Sequence, residues 1–284
     1  MRLHRLGPRG AERPCVFDSV GRSVDLSAEI GDFDHQFFAT DGMARVATLS
    51  IDDFAGLPRL AQDRLGSPIA RPGKVVCIGL NYADHARESG QAIPAEPIVF
   101  FKDPWTVVGP NDDVLIPRGS TKTDWEVELG VVIGRRCRYL QSENEARGAI
   151  AGYAVSHDVS EREFQLERGG QWVKGKSCET FNPLGPWLVS ADDVATPGEL
   201  RLWLDVNGER KQDGSTSSMI FGVPYLIWYL SQFMVLEPGD LINTGTPAGV
   251  GLGATPSAYL ADGDVVELGV DLLGSQRQTF RNAD

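Results

Sequence analysis

Cysteine is scarce in this chain of 284 residues, and its four copies, Cys15, Cys77, Cys137 and Cys178, form no C-x-x-C pair. That spacing argues against a clustered zinc site and a disulfide-dense scaffold, and fits reduced thiols in a cytoplasmic protein. Basic residues are also short. Lys+Arg number 27 against 39 Asp+Glu, a formal charge of −12, which argues against nucleic acid or an anionic membrane surface as partner. An anionic small molecule stays admissible, because a bound cation or a few placed basic groups inverts the local potential. No apolar run reaches membrane-spanning length, since the most apolar stretch, residues 221–236, is broken by Gly222, Pro224, Ser231 and Gln232. The first residues lack the apolar run and small-residue cleavage site of a secretory signal. Histidine is as rare as cysteine, so a histidine base must be one of His4, His35, His85 and His157.

What is present is mostly short strand patterns separated by Gly, Pro and Asp turns. Residues 1–70 read as a small leading α+β domain, with a hairpin over residues 15–18 and 23–26 and short helices around residues 51–54. Arg71-Pro72-Gly73-Lys74 punctuates the chain ahead of a larger domain over residues 71–284. There, strands are expected at residues 75–78, 97–101, 114–116, 127–133, 152–155, 200–206 and 265–268. Asn207-Gly208 is a two-residue hairpin turn. Helices open at Ser142, an N-cap, and at Val223-Pro224, the latter running to Met234. Without regular β-α-β alternation or an internal repeat, the fold class is a β-rich α+β, a mixed β-roll or barrel.

Four stretches carry chemistry. Residues 123–133 alternate faces as a strand, with Trp125, Val127, Leu129, Val131 and Ile133 on one side and Asp124, Glu126 and Glu128 on the other. Carboxylates repeated on one strand face repel, so the face is either solvated, as an exposed edge would be, or holds a cation of the magnesium or manganese class. Asp158 is a candidate third ligand, although its place before Glu161-Arg162-Glu163-Phe164 suits a helix N-cap equally. In residues 83–88, His85 and Glu88 share one helical face, as a general base with its orienting acid or as a surface ion pair. In residues 172–186, Lys176 precedes a Pro/Gly loop, as an ammonium aimed at a developing anion or as a surface charge. Residues 238–251 form a Gly-rich turn around Thr246 that either anchors an anion or is a plain loop, and no Gly-Lys-Ser/Thr follows to make it a phosphate loop.

In this order, over residues 71–284, these stretches resemble the fumarylacetoacetate hydrolase family. The likeness rests on Asn81-Tyr82 with His85 and Glu88, residues 124–129, Asp158 with Arg162 and Gln165, Gly175-Lys176-Ser177 through Pro186, and residues 243–251. It implies a β-roll holding Mg²⁺ or Mn²⁺ on Glu126, Glu128 and Asp158, and a lid carrying His85 and Glu88. It also implies Lys176 beside the pyruvyl part of the ligand, and Arg162, Gln165, Gly245 and Thr246 as substrate contacts. A homodimer acting on a small 2-oxo or 2,4-diketo acid is implied as well. The chain departs from the animal enzyme in having no carboxylate in residues 75–82, which points to the three-carboxylate branch that includes acylpyruvate and diketo-deoxy sugar acid hydrolases. The implied reaction is cleavage of a C–C bond to release pyruvate. Oxaloacetate decarboxylation or tautomerisation, 2-oxo acid hydration or isomerisation, and ureidoglycolate lysis remain alternatives on the same scaffold. Outside enzymes, the alternative is a 2-oxo acid binding protein that has lost catalysis.

Overall fold

The computed structural model describes residues 1–49, 56–88 and 90–284. Its centre is the strand Val127–Ile133, all seven residues of which are buried. The expected alternation holds. Trp125, Val127, Leu129, Val131 and Ile133 join one hydrophobic core, while Val132 faces the opposite way into a second. A strand buried on both faces belongs in the middle of a sheet with a layer on each side.

That sheet has eleven strands. Its main path runs Ser23–Asp25, Arg13–Phe17, Arg2–Leu6, Asn182–Ser190, Ile150–His157, Val127–Ile133, Leu241–Asn243, Val75–Gly79 and Ile98–Lys102. Neighbours are antiparallel along this path except Leu241–Asn243 with Val75–Gly79. The path has two free ends, so the structure is a mixed roll and not a closed barrel. A second sheet of five strands, in the order Glu209–Ser215, Arg201–Val206, Val265–Val270, Gly274–Asn282 and Val114–Ile116, covers one face. Leu202, Leu204, Val266 and Leu268 from it join the core of the odd-numbered residues, with Leu226, Ile227 and Leu230 of the helix Val223–Leu230.

The leading hairpin forms as expected, Cys15 opposite Asp25 and Phe17 opposite Ser23. Its partner strand Arg2–Leu6 bonds to Asn182–Ser190, so the first residues extend the main sheet. The expected short helices around residues 51–54 lie outside the described residues, and the helix Gly42–Thr48 precedes them. Asn207 and Gly208 have φ of 51° and 80°, the left-handed pair that a tight hairpin requires. The helix from Val223 stops at Leu230, short of Met234. The Ser231 hydroxyl donates to Trp228 O and accepts Leu140 N–H, which ties the chain sideways. No helix among the described residues is long and apolar enough to cross a membrane.

Candidate active site

The acids of residues 123–128 do not sit on one uninterrupted strand. Thr123–Asp124 pairs with Ser160–Glu161, and pairing resumes at Val127 opposite His157. Between these ladders Asp158 N–H donates to Glu126 O at 3.0 Å, which sets the two chain segments side by side. The acids therefore separate by role. Asp124 turns to Arg162 Nε at 2.7 Å and accepts the N–H groups of Gly251 at 2.7 Å and Leu252 at 2.9 Å. Glu126, Glu128 and Asp158 converge, with one carboxylate oxygen from each within 4.8 Å of the others. Among the described residues they are the one such group of acidic, His or Cys side chains.

This cluster is buried, which excludes the solvated-edge alternative. The N-cap alternative for Asp158 also fails, because Glu161 Oε2 accepts Phe164 N–H at 2.6 Å and does that work. Lys176, from the short helix Val173–Lys176, is itself buried and donates to Glu126 at 2.8 Å and Asp158 at 3.0 Å, so it is no surface charge. Lys102, at the end of Ile98–Lys102, donates to the other oxygen of Asp158, to Val159 O at 3.0 Å and to Phe181 O at 2.7 Å. Arg162 reaches Glu126 at 2.8 Å and Gln165 Oε1 at 3.0 Å. Among the described residues Glu128 is in ion-pair contact with no cation, and it accepts Gly245 N–H at 2.8 Å. Gly245 has φ of 98°, and a Cβ on it would lie 2.7 Å from the Cβ of Asn81, so only glycine brings that N–H to Glu128.

Four carboxylates, those of Asp124, Glu126, Glu128 and Asp158, thus face three cations, those of Lys102, Arg162 and Lys176. With all of them ionised the cluster carries one excess negative charge. Burial works against charge on Glu126, but Lys176 and Arg162 overcome it and hold this carboxyl well below its usual range. Burial pushes Glu128 well above that range, and the charges of Asp158 and Glu126 push it further. Burial alone would discharge Lys176, yet Asp158 and Glu126 hold it protonated. The cluster lacks positive charge at Glu128, where three hard oxygen donors converge. A divalent cation of the magnesium or manganese class fits both the donors and the charge, and Glu126, Glu128 and Asp158 are the residues that would hold it. Two positive charges would turn the excess to +1, which an anionic ligand neutralises.

A cavity of about 640 Å³ opens onto this cluster. His85, Glu88, Glu126, Glu128, Arg162, Gln165, Lys176 and Thr246 line it, whereas Asp158 and Gly245 stand behind its wall. His85 and Glu88 lie on the helix Ala83–Glu88 with Nδ1 and Oε2 3.4 Å apart. Glu88 also accepts Gly249 N–H at 3.0 Å. A Cβ on Gly253 would come within 2.3 Å of the Glu88 Cδ, so glycine there lets the helix seat against the 251–253 turn. Burial raises the Glu88 pKa, and the hydrogen bonds from His85 and Gly249 outweigh it, leaving the carboxyl below its ordinary value. Thr246 donates its hydroxyl to Val127 O at 2.9 Å and accepts Gln212 Nε2 at 2.8 Å.

Residues 74–281 match the family model described as the C-terminal domain of fumarylacetoacetate hydrolase. The chain belongs to that family. A Burkholderia multivorans protein that bears the name "putative hydrolase", with no substrate assigned, is 51% identical over 100% of both chains. The solved fumarylacetoacetate hydrolase of Exiguobacterium antarcticum is 33% identical with a TM-score of 0.84, again over 100% of both chains. Maleylpyruvate hydrolase of Sphingobium sp. SYK-6, solved with manganese(II) and pyruvate, is 27% identical with a TM-score of 0.81 over 100% of both. Fumarylacetoacetate hydrolase family members are enzymes, hydrolases and isomerases that act on small molecules. A manganese-bound neighbour and an acidic triad together point to a divalent metal in this member.

Two functional groups escaped the sequence reading. Lys102 has no role assigned from the sequence, and Gln212, given no position at the site by the sequence, accepts Val127 N–H on its Oε1 at 2.9 Å while its amide braces Thr246. Lys102→Met removes a fully buried cation and leaves Asp158, Val159 O and Phe181 O short of a donor. The metal-free protein should lose about 3–5 kcal/mol of stability. Because the cluster becomes more negative, added Mn²⁺ should stabilise the variant more than the parent. Thermal unfolding with and without Mn²⁺ checks this, and equal increments in the two proteins would count against the charge balance described above.

Proposed function

We propose that this protein is a divalent-metal-dependent hydrolase that cleaves a 2,4-diketo acid of the acylpyruvate type into pyruvate and a carboxylic acid. The observation that carries the reading is one cavity lined both by His85, paired with Glu88, and by Lys176 beside the acidic triad. Glu88 accepts the Nδ1 proton of His85 and so leaves Nε2 as the basic nitrogen. His85 takes a proton from water, and the resulting hydroxide adds to the C4 carbonyl. The C3–C4 bond breaks, its electron pair passes into the pyruvate enolate, and the acyl carbon leaves as the carboxylic acid. Lys176 meets the enolate's negative charge, and a proton delivered to C3 completes pyruvate. A divalent ion on Glu126, Glu128 and Asp158 supplies Lewis-acid stabilisation of charge on the 2-oxo acid. Arg162 and Gln165 orient the substrate, and Thr246 with the Gly245 segment braces the wall that receives its carboxylate.

In this reading residues 71–284 are the catalytic unit, residues 1–70 a smaller leading domain that lengthens the sheet, and the working form a cytoplasmic homodimer. The test is pyruvate release by metal-stripped protein, with and without Mg²⁺ or Mn²⁺, from acylpyruvates, oxaloacetate and diketo-deoxy sugar acids. Metal-dependent pyruvate with an equal amount of the matching acid is the expected result. Pyruvate and CO₂ from oxaloacetate alone would replace the reading with decarboxylation.

A further inference from the structure

The cavity wall changes character outward from Lys176. Phe100 lies with its ring centroid 5.2 Å from Lys176 Nζ, and Trp172 packs edge-on against Phe100 at 5.3 Å. Beside them, an atom placed at the Cβ position of Gly79 would be 2.5 Å from the Trp172 ring and 3.5 Å from Ile98. Leu166 and Leu252 also line the cavity. Beyond the ammonium, then, the wall built from Ile98, Phe100, Leu166 and Trp172 is apolar, and the further polar side chains Gln91 and Thr255 that line the cavity are uncharged. Among the described residues that line the cavity the permanent cations are Arg162 and Lys176, and both are already bound to carboxylates of the site.

A second carboxylate at the far end of a substrate would meet aromatic and aliphatic side chains with no free cation, and desolvating it there is unfavourable. Hydroxyls of a sugar-acid tail laid against Phe100, Trp172 and Leu166 would likewise lose water without gaining partners from that wall. An alkyl or aryl tail gains from the same contact. We infer that the acyl end of this protein's substrate is apolar and uncharged, so that the substrate carries one carboxylate, at its pyruvyl end. That sets it apart from maleylpyruvate and fumarylacetoacetate, which end in a carboxylate on the acyl side, and from diketo-deoxy sugar acids. The inference rests on the proposed placement of the 2-oxo acid at the acidic triad.

The test uses ligands that cannot be cleaved. Binding of 2-oxooctanoate and of 2-oxooctanedioate to the Mn²⁺-loaded protein is measured by calorimetry, with shorter 2-oxo acids for the length dependence. The monoacid should bind at least about tenfold tighter than the diacid, and each added methylene should strengthen binding by about two- to fourfold. Equal or reversed affinities, or binding of neither acid, overturn the inference. Leu166→Lys, at a position 45% exposed where a charge is tolerated, and Trp172→Arg each put a cation on the apolar wall. In at least one of them the preference should shift toward the diacid by about tenfold, and no shift in either overturns the inference. Pyruvate release from 2,4-dioxooctanoate is measured separately. If the binding order holds but no pyruvate forms, the inference stands and the hydrolytic reading fails alone.

Discussion

Asp158→Asn is expected to cut turnover by about a thousandfold, the rate equivalent of several kcal/mol of lost stabilisation of the developing charge. It should also weaken Mn²⁺ binding by at least about a hundredfold, the upper end of what changes behind a metal's ligands cost. One Asp158 oxygen accepts Lys102 and the other Lys176 at 3.0 Å, while the same carboxylate belongs to the triad whose oxygens lie within 4.8 Å of one another. Asparagine keeps the shape but puts an amide donor against an ammonium, and it takes a negative charge from a cluster whose excess is a single charge. Lys102 then has only carbonyl acceptors, so stability should fall by about 3–5 kcal/mol as well. The comparison with Lys102→Met separates two roles. Both variants break the same ion pair, but only the asparagine variant removes an oxygen donor, so only it should lose Mn²⁺ affinity. An asparagine variant that unfolds earlier yet keeps its affinity and rate would reduce Asp158 to a counter-ion for two lysines.

What was legible in the sequence was whatever a local rule fixes. The seven residues Val127–Ile133 form a strand because β-branched and other apolar residues recur at every second position, and Asn207-Gly208 turns because two successive left-handed residues are readily made there. Glu126, Glu128, Asp158, His85, Glu88 and Lys176 could be selected as a set only through the order of five motifs. What stayed hidden depends on chain segments far apart. Lys102 follows two phenylalanines at a strand end, a common place for a solvated lysine, and it is buried because Asp158, Val159 and Phe181 close over it from 56 to 79 residues away. Asp158 and Glu161 are both acids near one helical start, and sequence alone does not say which of them caps it. The packing does, because pairing of Val127 with His157 turns Asp158 inward while Glu161 stays beside Phe164 N–H. Asp124 looked like a third member of the acidic face until the ladder broke at residues 125–126, and that break lets it serve Arg162 and the 251–252 turn.

His85→Ala should lower kcat by about a hundred- to ten-thousandfold and leave KM and Mn²⁺ affinity near those of the parent. The histidine belongs to a rim helix and makes no hydrogen bond to the triad carboxylates, so its removal should spare the ion and the 2-oxo acid end of the ligand. What it takes away is the nitrogen that accepts a proton from water. Glu88→Gln is the sharper probe of how that nitrogen is prepared. Glu88 accepts both the Gly249 N–H and the His85 Nδ1 proton, and its lowered pKa keeps it ionised at neutral pH. Glutamine can still accept both hydrogen bonds through its oxygen, but it no longer favours the imidazolium that forms when His85 takes its proton. The loss should therefore be in kcat and smaller than for His85→Ala. A binding protein without catalysis behaves otherwise. It has no turnover to lose, so both variants would keep ligand affinity and neither parent nor variant would release pyruvate. Steady-state kinetics beside calorimetry on the same three proteins decides between them, since only an enzyme can show a rate that falls while affinity stays.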